Sequence, residues 1–318
     1  MAVSEEEFLK HRSSGALALY AFASLSPALL SAQPRIDNVL ERMVPPGTTS
    51  LVGARMDQMK QTATYEKMLA SQSLVQVDQF AAETGFDPRR DVRELLYASN
   101  GSGGVLLARG TFHLNAGTAS LKNARRTRHG KYEIVGAARG DGGFCILDPT
   151  LAAAGDIPVL EAALDEWTSG PHTAAQPLVT RLTGVNPQSQ IWGISGGAGN
   201  FLADHPPAAS SGIDFSKIFR GLQDTWFQAD LSTGLKAEVH GMTATEKDAM
   251  SLRDTVRGVV GLGRLSVPEN QPELLKVWDG ITVDQVGRSI SLRADIPQDL
   301  LDRLVQILVM PAQRKRAQ

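Results

Sequence analysis

A single cysteine, Cys145, occurs in 318 residues. No intrachain disulfide and no cysteine-based zinc site can therefore be built. Neither sign of charge predominates, since 32 Lys and Arg face 34 Asp and Glu for a formal net charge of −2. That balance argues against a nucleic-acid partner, which calls for a markedly basic surface. Histidine is scarce, and His11, His113, His129, His172, His205 and His240 are scattered. No two share a ligand spacing such as His-x-x-x-His, so no metal is expected. The phosphate-cradling Gly-Lys-Ser/Thr loop is also missing. Gly101-Ser102-Gly103-Gly104 is followed by no helical pattern, and no cofactor is expected.

What is present is a globular composition, 42% hydrophobic and 21% charged, of a length that suits two domains. Charge is absent from Ser13 to Pro34. Within that stretch, residues 15–23 are apolar, Lys10, His11 and Arg12 precede them, and Ser26-Pro27-Ala28 supplies small residues for cleavage. The pattern fits a secretory signal peptide, with an uncleaved anchor or an ordinary helix as alternatives. Glu5, Glu6 and Glu7 make its start unusually acidic, and Ser4 with Glu7 forms a capping-box pattern.

Beyond the leader, residues 48–54 read as a strand and residues 56–83 as two helices. Asp91–Leu96 reads as a short helix, and Tyr97–Asn100 and Val105–Arg109 as a hairpin around the glycine-rich turn. A helix is expected over Leu114–Arg126, then strands at 132–137, 143–148 and 151–154. Pro158 opens a helix to about Trp167, since proline suits a first helical turn. Cys145 falls in the apolar run Gly143–Leu147 and reads as a buried small hydrophobe rather than a nucleophile. The second half is plainer. Leu235, Ala237 and Val239 alternate with Lys236, Glu238 and His240. Ile290, Leu292, Ala294 and Ile296 alternate with polar residues. Period two marks strands with one buried face, as in antiparallel sheets. Thr243–Glu246 caps a helix carrying Ala249, Leu252 and Val256 on one stripe.

Two landmarks recur in order. Leu106–Phe112 resembles Ala237–Met242, a strand, a glycine and entry to a helix. Gly155-Asp156-Ile157-Pro158 resembles Ala294-Asp295-Ile296-Pro297. The fold expected is α+β, two related repeats, each a mainly antiparallel sheet with helices packed on one face. The divisions are 1–34 as signal peptide or anchor, 35–170 and 190–310 as repeats, 171–189 as linker and 311–318 as a basic tail.

Val44-Pro45-Pro46-Gly47, Thr84-Gly85-Phe86-Asp87-Pro88 with Asp91, and Val105–Gly110 resemble a family of uncharacterised exported bacterial proteins common in soil acidobacteria. The resemblance covers about residues 44–167 closely and the second half loosely. It implies two α+β repeats behind a signal peptide, and it carries over no catalytic residue.

One motif suggests chemistry. Gly193-Ile194-Ser195-Gly196-Gly197 matches the Gly-x-Ser-x-Gly nucleophile elbow, which exposes its serine on a sharp strand-to-helix turn. The residues after it, Ala198-Gly199-Asn200-Phe201, make a weak helix at best, and the available bases, His205 and His240, are poorly spaced. The bland reading is a glycine-rich strand end. Arg125–Lys131 is the densest basic cluster and reads as a solvated helix C-terminus. Trp226 points away from Phe227, Ala229 and Leu231, either covered by the other repeat or free for contact. The reading is a non-enzymatic extracytoplasmic protein, periplasmic or secreted, that binds or supports something at the cell envelope. Its partner is an unidentified envelope protein or small ligand, and it touches membrane only if the leader stays uncleaved. Alternatives are a serine hydrolase using Ser195, or a carrier of a small apolar ligand between the repeats.

Overall fold

Antiparallel pairing between strands builds most of the molecule. The computed structural model describes residues 36–71, 78, 81, 87–112, 124–136, 141–170, 176–186, 188–196 and 221–314. The leader at 1–34, residues 114–123 of the helix expected over Leu114–Arg126, the start of the expected linker, His113, His172, His205 and the last four residues lie outside these. Among the described residues, no helix is long and apolar enough to cross a membrane.

The strands are β1 (Ser50–Arg55), β2 (Val92–Ser99), β3 (Gly104–Gly110), β4 (Arg125–His129), β5 (Tyr132–Gly136), β6 (Gly142–Asp148), β7 (Leu151–Asp156), β8 (Ile191–Gly196), β9 (Leu222–Asp230), β10 (Gly234–Thr243), β11 (Ile281–Val286) and β12 (Ser289–Pro297). They form one 12-stranded sheet in the order β11-β12-β10-β9-β8-β1-β2-β3-β7-β6-β5-β4. The helices are α1 (Asn38–Glu41), α2 (Met56–Met59), α3 (Ala63–Ser71), α4 (Pro88–Asp91), α5 (Ile157–Ser169), α6 (Gln176–Val179), α7 (Glu246–Leu265), α8 (Leu275–Asp279) and α9 (Gln298–Arg314). The fold is α+β, a large antiparallel sheet with several helices.

The sheet runs unbroken from one half of the chain to the other, because β1 pairs with β2 on one side and β8 on the other. Outward from that junction the strand order is β1-β2-β3-β7-β6 in the first half and β8-β9-β10-β12-β11 in the second. The two sequence landmarks fall on β3 and β10, and on β7 and β12. Their registers differ by one residue: Leu106 faces Ala154, whereas Ala237 faces Ala294 instead of the Arg293 that the landmark spacing implies.

Directly paired residues share a face of the sheet. The row Ser99, Ser50, Ser195, Thr225, Gly241, Ile290 therefore marks one face. The row Leu96, Gly53, Trp192, Gln228, Glu238, Arg293 marks the other. Helices do not keep to a single face. On the second face, Leu160, Ala163 and Leu164 of α5 join Leu51, Leu96, Leu107, Cys145, Leu151, Trp192 and Ile194 in the main core. On the first face, Leu300 and Leu301 of α9 pack with Leu231 and Ile296, and Leu252 and Val256 of α7 with Leu222, Val283 and Ile290. α9 also reaches α3 through a Lys67–Asp302 ion pair and a Gln298 Nε2 hydrogen bond to Thr64 Oγ1 at 3.1 Å.

Two expectations fail locally. Asp91–Leu96 is not a helix, because α4 ends at Asp91 and β2 begins at Val92. Pairing with β1 and β3 overrides the helical propensity of Arg-Glu-Leu-Leu. Arg125 and Arg126 do not end a helix; they open β4, held by five cross-strand partners on β5. Residues 176–184 form α6 and a 3-10 turn, and Leu178, Leu182 and the following Val185 are buried in the main core.

Gly53 shows how tightly the junction is filled. It lies opposite Trp192, whose indole occupies the space that a Cβ on Gly53 would take. Trp192 is 3% exposed although it stands on the first strand of the second half.

Candidate functional site

Ser195 lies inside β8, not on a turn after it. It is 6% exposed, and its Oγ accepts a hydrogen bond from Ser50 Oγ at 3.0 Å. Gly193 of the motif leaves room for the Phe227 ring, so it serves packing rather than a sharp turn. Ser195 sits on the first face and His240 on the second, with the backbone of the sheet between them. No proton can pass directly from one to the other, and the described part of the motif lacks the geometry of a nucleophile elbow. A fluorophosphonate probe is expected to leave the native chain unlabelled. Labelling that disappears in Ser195→Ala would reinstate the hydrolase. Cys145 is 1% exposed, and burial pushes its thiol up to about 11, so at neutral pH it carries no thiolate.

The polar groups that do converge stand on the second face of β9, β10 and β12. Register places Gln228, Glu238 and Arg293 in one cross-strand row and Trp226, His240 and Ser291 in the next. Gln228 Nε2 donates to Glu238 Oε2 at 2.9 Å, and Arg293 Nε donates to Glu238 Oε1 at 2.9 Å. His240 Nε2 lies 2.7 Å from the same Oε1. A carboxylate only accepts, so Nε2 carries the proton of this bond. The Trp226 indole stacks on the His240 ring, centroids 4.0 Å apart and planes 13° from parallel, and it packs against the main core on its other side. Gln228 is in turn fixed by the Asn186 N–H at 2.6 Å.

Burial alone would raise the Glu238 carboxyl, but the bonds from His240, Arg293 and Gln228 outweigh it and hold the group below its ordinary 4.5. A carboxyl depressed by folding stabilises the folded state above its ordinary pKa, and that contribution fades as pH falls through the depressed value. Glu238→Gln is therefore expected to cost about 1–2 kcal/mol at neutral pH. The difference from the parent should shrink once the pH is well below 4.5. Urea unfolding at several pH values checks this; a difference independent of pH would contradict it.

Beside this row, α7 and the β11–β12 hairpin border an open cleft of about 580 Å3, lined by His240, Arg253, Arg257, Asp284, Ser291 and Arg293 among others. A second hollow of about 320 Å3 shares Arg257 and Asp284 and continues along Val260 and Ile281. Arg253 and Arg257 stand one turn apart on α7 and so face the same way. Arg257 donates through Nε and Nη2 to the Val283 carbonyl at 3.2 and 2.7 Å, which covers an edge position of β11. Arg253 Nη1 approaches Gln285 Oε1 at 3.4 Å, and Arg293 Nη1 is 3.8 Å from Asp284. Three guanidiniums thus line the cleft at the β11 edge, Arg253 and Arg257 from α7 and Arg293 from the second face of β12, where it is the one within 4 Å of the Asp284 carboxylate. Their planar forks are suited to carboxylate or phosphate oxygens. The described residues contain no group of three or more His, Cys, Asp or Glu that could hold a metal ion.

Sequence reasoning placed Glu238 and His240 together on a polar face but passed over Arg253, Arg257 and Arg293. Alternation along β12 and the four-residue spacing on α7 were the available signals. Their convergence depends on strand pairing.

No protein-family model matches the chain, and no curated protein matches it in sequence. Solved structures do resemble it. A structure described as crystal form I of TP0453 is 8% identical, with TM-score 0.49, covering 86% of this chain and 97% of that one. At 7% identity, TM-score 0.53 and coverage of 86% of this chain and 98% of the other, the chain is similar in fold to TP0453 as seen in its crystal form III.

Proposed function

We propose that this is a non-enzymatic, extracytoplasmic protein of the cell envelope whose second half binds a ligand through the ligand's anionic groups. The observation that carries the reading is the cleft whose lining includes three guanidiniums, Arg253, Arg257 and Arg293, and one carboxylate, Asp284. Guanidiniums so arranged favour an anion electrostatically and offer donors for it. Trp226, stacked on the lining residue His240, ties a fluorescent group to that cleft. The apolar stretch at 13–34 supports export. A carrier holding an apolar ligand between the halves is the weaker reading, because β1 and β8 fill the junction with direct pairing.

We also read the two halves as a duplication, on the ground of their shared strand order. The slipped register and the opposite faces taken by α5 and α9 are then later divergence.

Titration with inorganic phosphate and with a tricarboxylate, followed by tryptophan fluorescence and calorimetry, tests the binding reading. Saturable binding that weakens with salt and drops about tenfold in Arg253→Gln is expected. Equal binding by Arg253→Gln, or none at millimolar anion, rejects it. Export is tested separately by the N-terminal mass of the protein in cell fractions. A mature start after residue 26 outside the cytoplasm is expected, and an intact chain confined to the cytosol rejects it.

A further inference from the structure

The two edges of the sheet are finished differently. At one edge, Arg257 covers the Val283 carbonyl of β11 and α7 packs alongside. At the other edge lies β4, Arg125-Arg126-Thr127-Arg128-His129, which among the described residues pairs only with β5. Its first four residues are exposed. An edge strand directs alternate backbone N–H and C=O groups outward with no partner strand. Gly130 at φ 56° lies in the turn to β5, and the pairing runs without a register shift from His129 to Arg125.

The charges of this strand are only partly used. Arg126 pairs with Glu133 at 3.0 Å, and His129 meets Asp165 of α5 at 2.7 Å. Among the described residues, no carboxylate pairs with Arg125 or Arg128. Arg125 faces Gly136 and Arg128 faces Glu133, so the two project to opposite faces, about 10 Å apart along the strand.

We propose that β4 is a docking edge for an extended acidic segment of another protein, added to the sheet as a further strand. Backbone groups supply the pairing and the two arginines supply the choice of sequence. Their separation demands acidic residues three apart in the incoming strand, one per face. A second copy of this chain is disfavoured as occupant, since two arginine-rich edges side by side repel. The site lies at the opposite edge of the sheet from the anion cleft, and neither depends on the other.

The test uses the full chain and a fluorescent peptide of about eight residues, Thr-Val-Glu-Val-Thr-Glu-Val-Thr, read by anisotropy. Saturable binding is expected, weakened at least tenfold when both glutamates become glutamine and again in Arg125→Ser/Arg128→Ser. N-methylation of alternate peptide amides, which keeps the charge but removes the strand hydrogen bonds, should abolish it. Arg125→Glu/Arg128→Glu should transfer preference to the peptide with lysine at both positions, a gain that misfolding cannot produce. Undiminished binding of the N-methylated peptide overturns the proposal. So does binding to vesicles of anionic phosphatidylglycerol in the absence of any peptide binding.

Discussion

Trp192→Ala is expected to destabilise the protein by about 3–5 kcal/mol, the range for emptying the site of a large buried aromatic. The indole is 3% exposed and fills the space above Gly53 at the junction of β1 and β8. Collapse into that space is limited, because Leu96, Ala98 and Ile194 around it belong to the same packed core. The converse substitution, Gly53→Ala, drives a methyl into the indole and should cost about 1–3 kcal/mol as overpacking. The two should not add. In Gly53→Ala/Trp192→Ala the methyl enters vacated space, so the double variant should be less damaged than the sum of the singles, by about 1 kcal/mol or more. Urea unfolding of the four proteins measures the coupling. Additive losses would mean that the two side chains do not compete for one volume.

A fragment ending at residue 170 is expected not to fold. It would retain β1 to β7 and α5 but lose Leu178, Leu182, Val185, Trp192 and Ile194, all buried in the main core to which α5 contributes. At about 1.5–3 kcal/mol for each large buried side chain, that loss rivals the whole stability of a typical domain. The fragment would also leave the β8-facing edge of β1 open. Circular dichroism during urea titration should show no cooperative transition. A sharp transition in the fragment would establish the first half as an independent domain.

How far the sequence reveals this molecule depends on whether a segment carries its own periodicity. β10 and β12 are legible because Leu235, Ala237 and Val239, and Ile290 and Leu292, mark one face against polar neighbours. The β2–β3 hairpin is legible from Gly101–Gly104, and α5 from Asp156-Ile157-Pro158. β4 is not: Arg-Arg-Thr-Arg-His has no apolar residue to show alternation, and only its partner β5 makes it a strand. The start of β2 misleads because its Leu-Leu pair suits a helix until β1 and β3 flank it. The burial of residues 178–185 is equally hidden, because a composition fit for a linker becomes core once β8 joins β1. In the candidate site, the Glu238–His240 pair is visible as neighbours two apart on a strand. Arg293 is distant in sequence from Arg253 and Arg257, and only the order β10-β12-β11 at the edge flanked by α7 brings the three to one cleft. The same register moves Ser195 away from His240, which a motif cannot convey.

The central place of β1 sets the order in which the chain can complete itself. β1 is the first strand in chain order among the described residues, and β2, its neighbour, follows soon after, Thr49 Oγ1 bonding the Ser99 carbonyl 50 residues on. Its other neighbour comes much later, since Ser50 and Ser195 are 145 residues apart. Closing so long a loop is slow, and contacts of this range govern the folding rate of β-rich proteins. In that interval the nascent meander of β1, β2 and β3 presents a bare strand edge to its surroundings, an invitation to misassembly. Closure of the centre waits for β8, and α9, the last described element, then fastens onto α3 from the first half. The strand at the middle of the sheet thus precedes the other described strands in the chain and is among the last of them to be enclosed.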